Sequence, residues 1–142
     1  MRKINSIIIH HSASLETTTV DQIRTWHLKR GFADIGYHWV LRFNGRIWEC
    51  VPGRPESEAG AHCKNHNAHS IGVVVCGDYR TKAPCEAAQL LLKVELLAIM
   101  KRHGLTHECI KVHSDFGATE CPGEQLRNAI DGMWPKGKAP DC

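Results

Sequence analysis

Three consecutive isoleucines, residues 7–9, run directly into two histidines in the stretch IIIHHSAS, residues 7–14. Side chains alternate between the two faces of a strand, so an unbroken β-branched run presents apolar groups on both faces. Such a run is at home only where both faces are covered. Residues 6–10 therefore read as a short buried strand, and His10 and His11 at its end should point to opposite faces. A chain holding such a strand needs further strands beside it and helices above and below.

The rest of the sequence offers them. Thr19 and Gln22 have the spacing of a capping box, and the helix they open carries Val20, Ile23 and Trp26 before Gly31 stops it. Residues 37–43 and 46–51 flank Asn44 and Gly45, which predicts a hairpin with a two-residue turn. After a turn-rich stretch over 52–68, residues 70–76 read as a central strand ending at Gly77. Residues 86–103 form the clearest helix, closed by Gly104. Its apolar residues lie almost all round, which predicts packing on more than one side. A last short strand is expected over 110–113, and a short helix from beyond Leu126 to Met133. Strands alternating with helices give an α/β domain, with a central mixed β-sheet because one strand pair is a hairpin. A chain of 142 residues suits one domain. Residues 1–134 are assigned to it, and 135–142 to a loose C-terminal tail.

Composition narrows the partners. The formal charge is +3, and Lys and Arg are scattered, without the basic stripe that marks nucleic-acid binding. No apolar stretch approaches the length of a signal-peptide core or a membrane span. The expectation is a protein made in the cytoplasm, a monomer, with no nucleic-acid partner and no membrane insertion. Seven cysteines are spread without any CxxC pair, so neither a zinc ribbon nor a disulfide framework is predicted.

Chemistry-bearing residues concentrate in two distant places. His10 ends the first strand, and VHSDFGATECPG, residues 112–123, holds His113 and Cys121 in one loop. Imidazole nitrogen and thiolate sulfur are zinc ligands, and a catalytic zinc commonly takes three from the protein and leaves a fourth position open. Spacing alone does not show that these residues meet, and each also fits an ordinary structural role. Cys85, before the long helix, keeps open a cysteine nucleophile activated by a helix N-terminus.

Taken in order, IIIHHSAS, DIGYHWVL, GAHCKNHNAHSIGVVVCG and VHSDFGATECPG resemble the zinc-dependent N-acetylmuramoyl-L-alanine amidases. This is the type 2 amidase family of phage endolysins, related to the peptidoglycan recognition proteins. The resemblance runs from about residue 4 to 126. It implies Zn2+ held by His10, His113 and Cys121 in a surface cleft, with Tyr37 of the GYH motif as a catalytic residue. Thr119 stands where phage members often carry Lys and recognition proteins Thr, which makes it a second candidate donor. His62 and Asn67 would line the cleft and contact substrate, and His11 would be a packing or supporting residue. The implied activity is hydrolysis of the amide between N-acetylmuramic acid and L-alanine in bacterial peptidoglycan. An endolysin would act on the wall after release from the cytoplasm. The alternative is a non-catalytic module that binds muropeptide in the same cleft. No HExxH helix supplies a glutamate, so the general base stays open.

Overall fold

The structure, a computed structural model, describes residues 2–134. The expected tail over 135–142 lies outside the described residues. β1 (Ser6–His11) pairs in parallel with β4 (Ser70–Val75) on one side and β5 (Ile110–Val112) on the other. β2 (Trp39–Phe43) runs parallel to β4 and antiparallel to β3 (Trp48–Pro52), giving one mixed sheet in the order β3-β2-β4-β1-β5.

Both faces of the sheet are covered, as the isoleucine run requires. On one face Ile7 and Ile9 share a core with Ile71, Val73 and Val75 of β4. That core is closed by Leu92, Leu96 and Ile99 of α2 (Glu86–His103) and by Leu126 and Ile130 of α3 (Glu124–Asp131). On the other face Val40, Val74 and Cys76 pack with Ile35 and with Ile23 of α1 (Val20–Lys29). Ile7, Ile8 and Ile9 are all fully buried, each worth about 1.5–3 kcal/mol relative to exposure. The predicted capping box is present: the Thr19 hydroxyl accepts from the Gln22 amide, and the Gln22 side chain accepts from the Thr19 amide.

Two local expectations are corrected. The strands stop at Phe43 and Trp48, so residues 44–47 make the turn; the Asn44 amide donates to the Ile47 carbonyl across it, and the Asn44 side chain accepts from the amides of Arg46 and Ile47. The long helix buries one stripe, Ala88, Leu92, Leu96, Ile99 and Met100. Leu90, Val94 and Leu97 stay 64%, 52% and 48% exposed on its outer side. Among the cysteines, Cys50, Cys63, Cys76, Cys85 and Cys121 are free thiols, and Cys109 is disulfide-bonded.

Histidines are built into the core as neutral rings. His27 of α1 is buried, and its Nδ1 accepts from the Gly36 amide at 2.8 Å. Burial, aided by the positive charges of Arg30 and Arg54, lowers its pKa to about 4. An unfolded chain, with an ordinary histidine near 6.5, binds more protons than the fold between those two values. The stabilisation from neutral His27 is therefore complete above pH 6.5, is lost as pH falls towards 4, and amounts to about 3 kcal/mol. The substitution His27→Asn keeps an acceptor near Nδ1 but cannot titrate. Urea midpoints should fall more shallowly from pH 7 to pH 4 in this variant than in the wild type, at some pH-independent cost in packing against Phe32 and Tyr37.

Candidate metal centre and cleft

The ends of three chain segments meet at the carboxyl edge of β1. His10 is 1% exposed and points to the α1 side of the sheet, where its ring lies 5.0 Å from that of Tyr37 and 4.7 Å from that of His113. His11 points the other way, as alternation demands, and its Nδ1 accepts from the Tyr79 amide. Parallel pairing places Ile9 opposite Val112, so the next residue, His113, emerges beside His10. His113 opens a 3-10 turn, His113–Asp115. There the Asp115 carboxylate accepts from the Val112 amide and from Arg127 of α3.

Cys121 arrives from the loop that leads into α3. Its carbonyl accepts from the Ser114 amide, and its amide donates to the Thr119 hydroxyl. Gly123 lets the loop turn back against the chain. It has φ +89°, and a Cβ there would overlap the Tyr79 main chain. Because Tyr79 is tied to His11, the loop is held in register with the end of β1.

One ligand atom from each of His10, His113 and Cys121 lies within 4.8 Å of the others. The Cys121 sulfur is 3.7 Å from His10 Nδ1. Zinc bond lengths of about 2.0–2.1 Å to nitrogen and 2.3 Å to sulfur put a tetrahedral N–S pair about 3.6 Å apart, so the donor set fits that ion. Burial lowers the pKa of both His10 and His113, which keeps them in the neutral form that binds a metal. Burial pushes the Cys121 thiol up to about 12, while the His11 amide, donating to its sulfur at 3.4 Å, works in the opposite direction. Metal binding at this cysteine must therefore displace a proton.

Two concavities meet at this cluster, with Tyr37 and His113 in the walls of both. One, of about 340 Å³, is lined further by Ala13, Arg80, Thr119 and Cys121. The other, of about 400 Å³, is bounded by Arg30, Phe32, Lys64 and Asn67. The Tyr37 hydroxyl makes no hydrogen bond to any described residue, and burial together with the Cys121 charge raises its pKa. It is thus a neutral donor with its proton unspent. Thr119 is exposed at the rim; its hydroxyl accepts from the Cys121 amide, and its own O–H has no acceptor among the described residues.

His62 and Asn67 both line the second concavity, as expected. The Asn67 carbonyl oxygen accepts from the amides of His62 and Cys63, so the side chain shapes the loop while lining the second concavity. His62 is 8% exposed: it touches the same concavity and also lies directly behind His10. Two residues unremarked in the sequence support this loop. The Arg2 guanidinium donates to the carbonyls of Glu56, Asn67, Ala68 and Ser70, and the Ser70 hydroxyl lies against His62. The one available signal was a serine opening an otherwise apolar strand, since a buried hydroxyl needs a partner. Cys85 caps α2 without a side-chain hydrogen bond and is exposed.

Comparison with known proteins agrees over most of the chain. The family described as N-acetylmuramoyl-L-alanine amidase matches residues 1–124. A peptidoglycan-recognition protein of Drosophila simulans is 31% identical, covering 96% of this chain and 77% of its own. The endolysin of Klebsiella phage KP32 is 31% identical, over 89% of this chain and 85% of its own. Among solved structures, the amidase LysC from Clostridium intestinale superposes with a TM-score of 0.83 at 28% identity, covering 92% of this chain and 85% of that one.

Proposed function

The chain belongs to the N-acetylmuramoyl-L-alanine amidase family, and from that membership we propose that it hydrolyses the amide joining N-acetylmuramic acid to L-alanine in peptidoglycan. The observation that carries the reading is the convergence of His10, His113 and Cys121 beside Tyr37. These three residues would hold zinc. Bound there, zinc supplies Lewis acidity, polarising the amide carbonyl and bringing the pKa of water down to about 7.

The remaining work falls to the chain itself. The two concavities on either side of Tyr37 and His113 seat the groups flanking the scissile bond, fixing it against the cluster. Attack by water turns the planar amide into a tetrahedral centre bearing an oxyanion. Its collapse breaks the C–N bond, the water's OH staying on the lactyl carbon and its proton leaving on the alanine amine. Tyr37 donates its hydrogen bond to the oxyanion, and Thr119, at the rim, donates to the substrate from the other wall. A neutral phenol with a raised pKa is suited to donating a hydrogen bond to that oxygen. The family relatives named endolysin support a role in opening the cell wall from within.

The test is release of new alanine amino groups from purified peptidoglycan, with a chelator and then with zinc restored. Release that stops and returns is the expected result. Wall binding without release under any metal condition would make the protein a recognition module instead. The same assay separates a cysteine nucleophile: Cys85→Ser should keep full, chelator-sensitive activity, whereas loss of activity there would move the chemistry to the start of α2.

A further inference from the structure

We propose that His62, backed by Ser70, is a positioning residue that fixes the proton on His10 and so presents His10 Nδ1 as a lone pair to the metal. The inference rests on the reading of His10 as a zinc ligand. It goes beyond that reading because it gives His62 a task other than substrate contact.

One hydrogen atom decides the arrangement. The Ser70 hydroxyl lies 2.6 Å from the main-chain carbonyl of His66. A carbonyl can only accept, so at that distance the serine proton lies between the two oxygens. Ser70 Oγ is then the acceptor for His62 Nε2, 3.2 Å away. His62 carries its proton on Nε2, which leaves Nδ1 as a lone pair. That lone pair faces His10 Nε2 at 2.9 Å, so His10 donates and holds its proton on Nε2. The remaining nitrogen of His10, Nδ1, is the one 3.7 Å from the Cys121 sulfur. The opposite polarity would leave the serine and carbonyl oxygens in contact with no proton between them.

The backbone is shaped to hold this relay. His62 packs against Gly72 and Gly60, where an added Cβ would come within 2.6 Å and 2.7 Å of ring carbons. The loop carrying His62 is clamped by Asn67 and by Arg2. A metal-bound histidine commonly has its other ring nitrogen fixed by such a partner, and losing the partner typically costs 10–100-fold in metal affinity.

The experiment has two arms. In the first, long-range proton–nitrogen NMR on metal-free, ring-labelled protein reads the tautomers directly. His10 and His62 should both carry the proton on Nε2, and Ser70→Ala should turn His10 into a mixture. A wild-type His10 protonated on Nδ1 would overturn the proposal, whatever the protein binds. In the second, zinc affinity is measured against a competing chromophoric chelator for two variants of nearly equal shape. His62→Asn retains an acceptor near Nδ1 and should bind zinc close to the wild type, whereas His62→Leu should bind about 10–100-fold more weakly. Equal losses in both would reduce His62 to packing and sink the idea. If His62→Leu does not fold, a Ser70→Ala protein with unchanged tautomers and zinc affinity would overturn it instead. Absence of zinc binding by the wild type would count against the amidase reading, leaving the tautomer arm to judge the relay.

Discussion

Cys121→Ser is expected to abolish chelator-sensitive alanine release and to weaken zinc binding by more than about 100-fold, beyond what loss of an outer partner costs. The thiolate is the one anionic donor of the three, and it is the soft one; a serine hydroxyl at neutral pH is neither. The substitution suits the test because it spares the fold. The Cys121 sulfur accepts from the His11 amide and donates to the His11 carbonyl, and a hydroxyl can do both. The metal-free variant should therefore unfold close to the wild-type temperature, while zinc content and amino-group release both collapse. His10→Ala should also lose zinc, but it empties a buried site and strands His62 Nδ1, so part of its effect would be structural. A Cys121→Ser protein with stoichiometric zinc and undiminished release would remove Cys121 from the ligand set.

The parts of this molecule legible in the sequence are those set by local chemistry. The isoleucine run demanded a strand covered on both faces, and β1 is that strand. The opposed directions of His10 and His11 follow from alternation alone, and His11 does turn away to Tyr79. The Thr19 capping box and the left-handed Gly104 that ends α2 were likewise written in short spacings. What spacing could not show was convergence. His10 meets His113 because β5 pairs in parallel with β1, a choice made by the whole sheet. The outer side of α2 misled for a related reason: leucine and valine at Leu90, Val94 and Leu97 read as core, but no described element covers them enough to bury them. His62 is the clearest case. A loop histidine in a cleft motif invites a role in substrate contact, and it does line the concavity, but its contacts with His10 and Ser70 join residues far apart in the chain and could not be read from spacing.

Tyr37→Phe should separate chemistry from metal binding. The ring fills its place between His10 and His27, and phenylalanine keeps that packing. Because the hydroxyl has no partner among the described residues, deleting it leaves no protein donor or acceptor stranded, and stability should change little. Zinc affinity should also hold, since Tyr37 is not among the three converging donors. What disappears is a hydrogen bond formed only when the substrate oxygen becomes an oxyanion. Donors of that kind are worth about 10²–10³ in kcat, with little change in KM. The raised pKa of the phenol adds a second signature: no titration of Tyr37 should appear in the wild-type rate profile near neutrality. Full turnover in Tyr37→Phe would remove the hydroxyl from the mechanism, whereas loss of zinc along with activity would make the ring a support for His10.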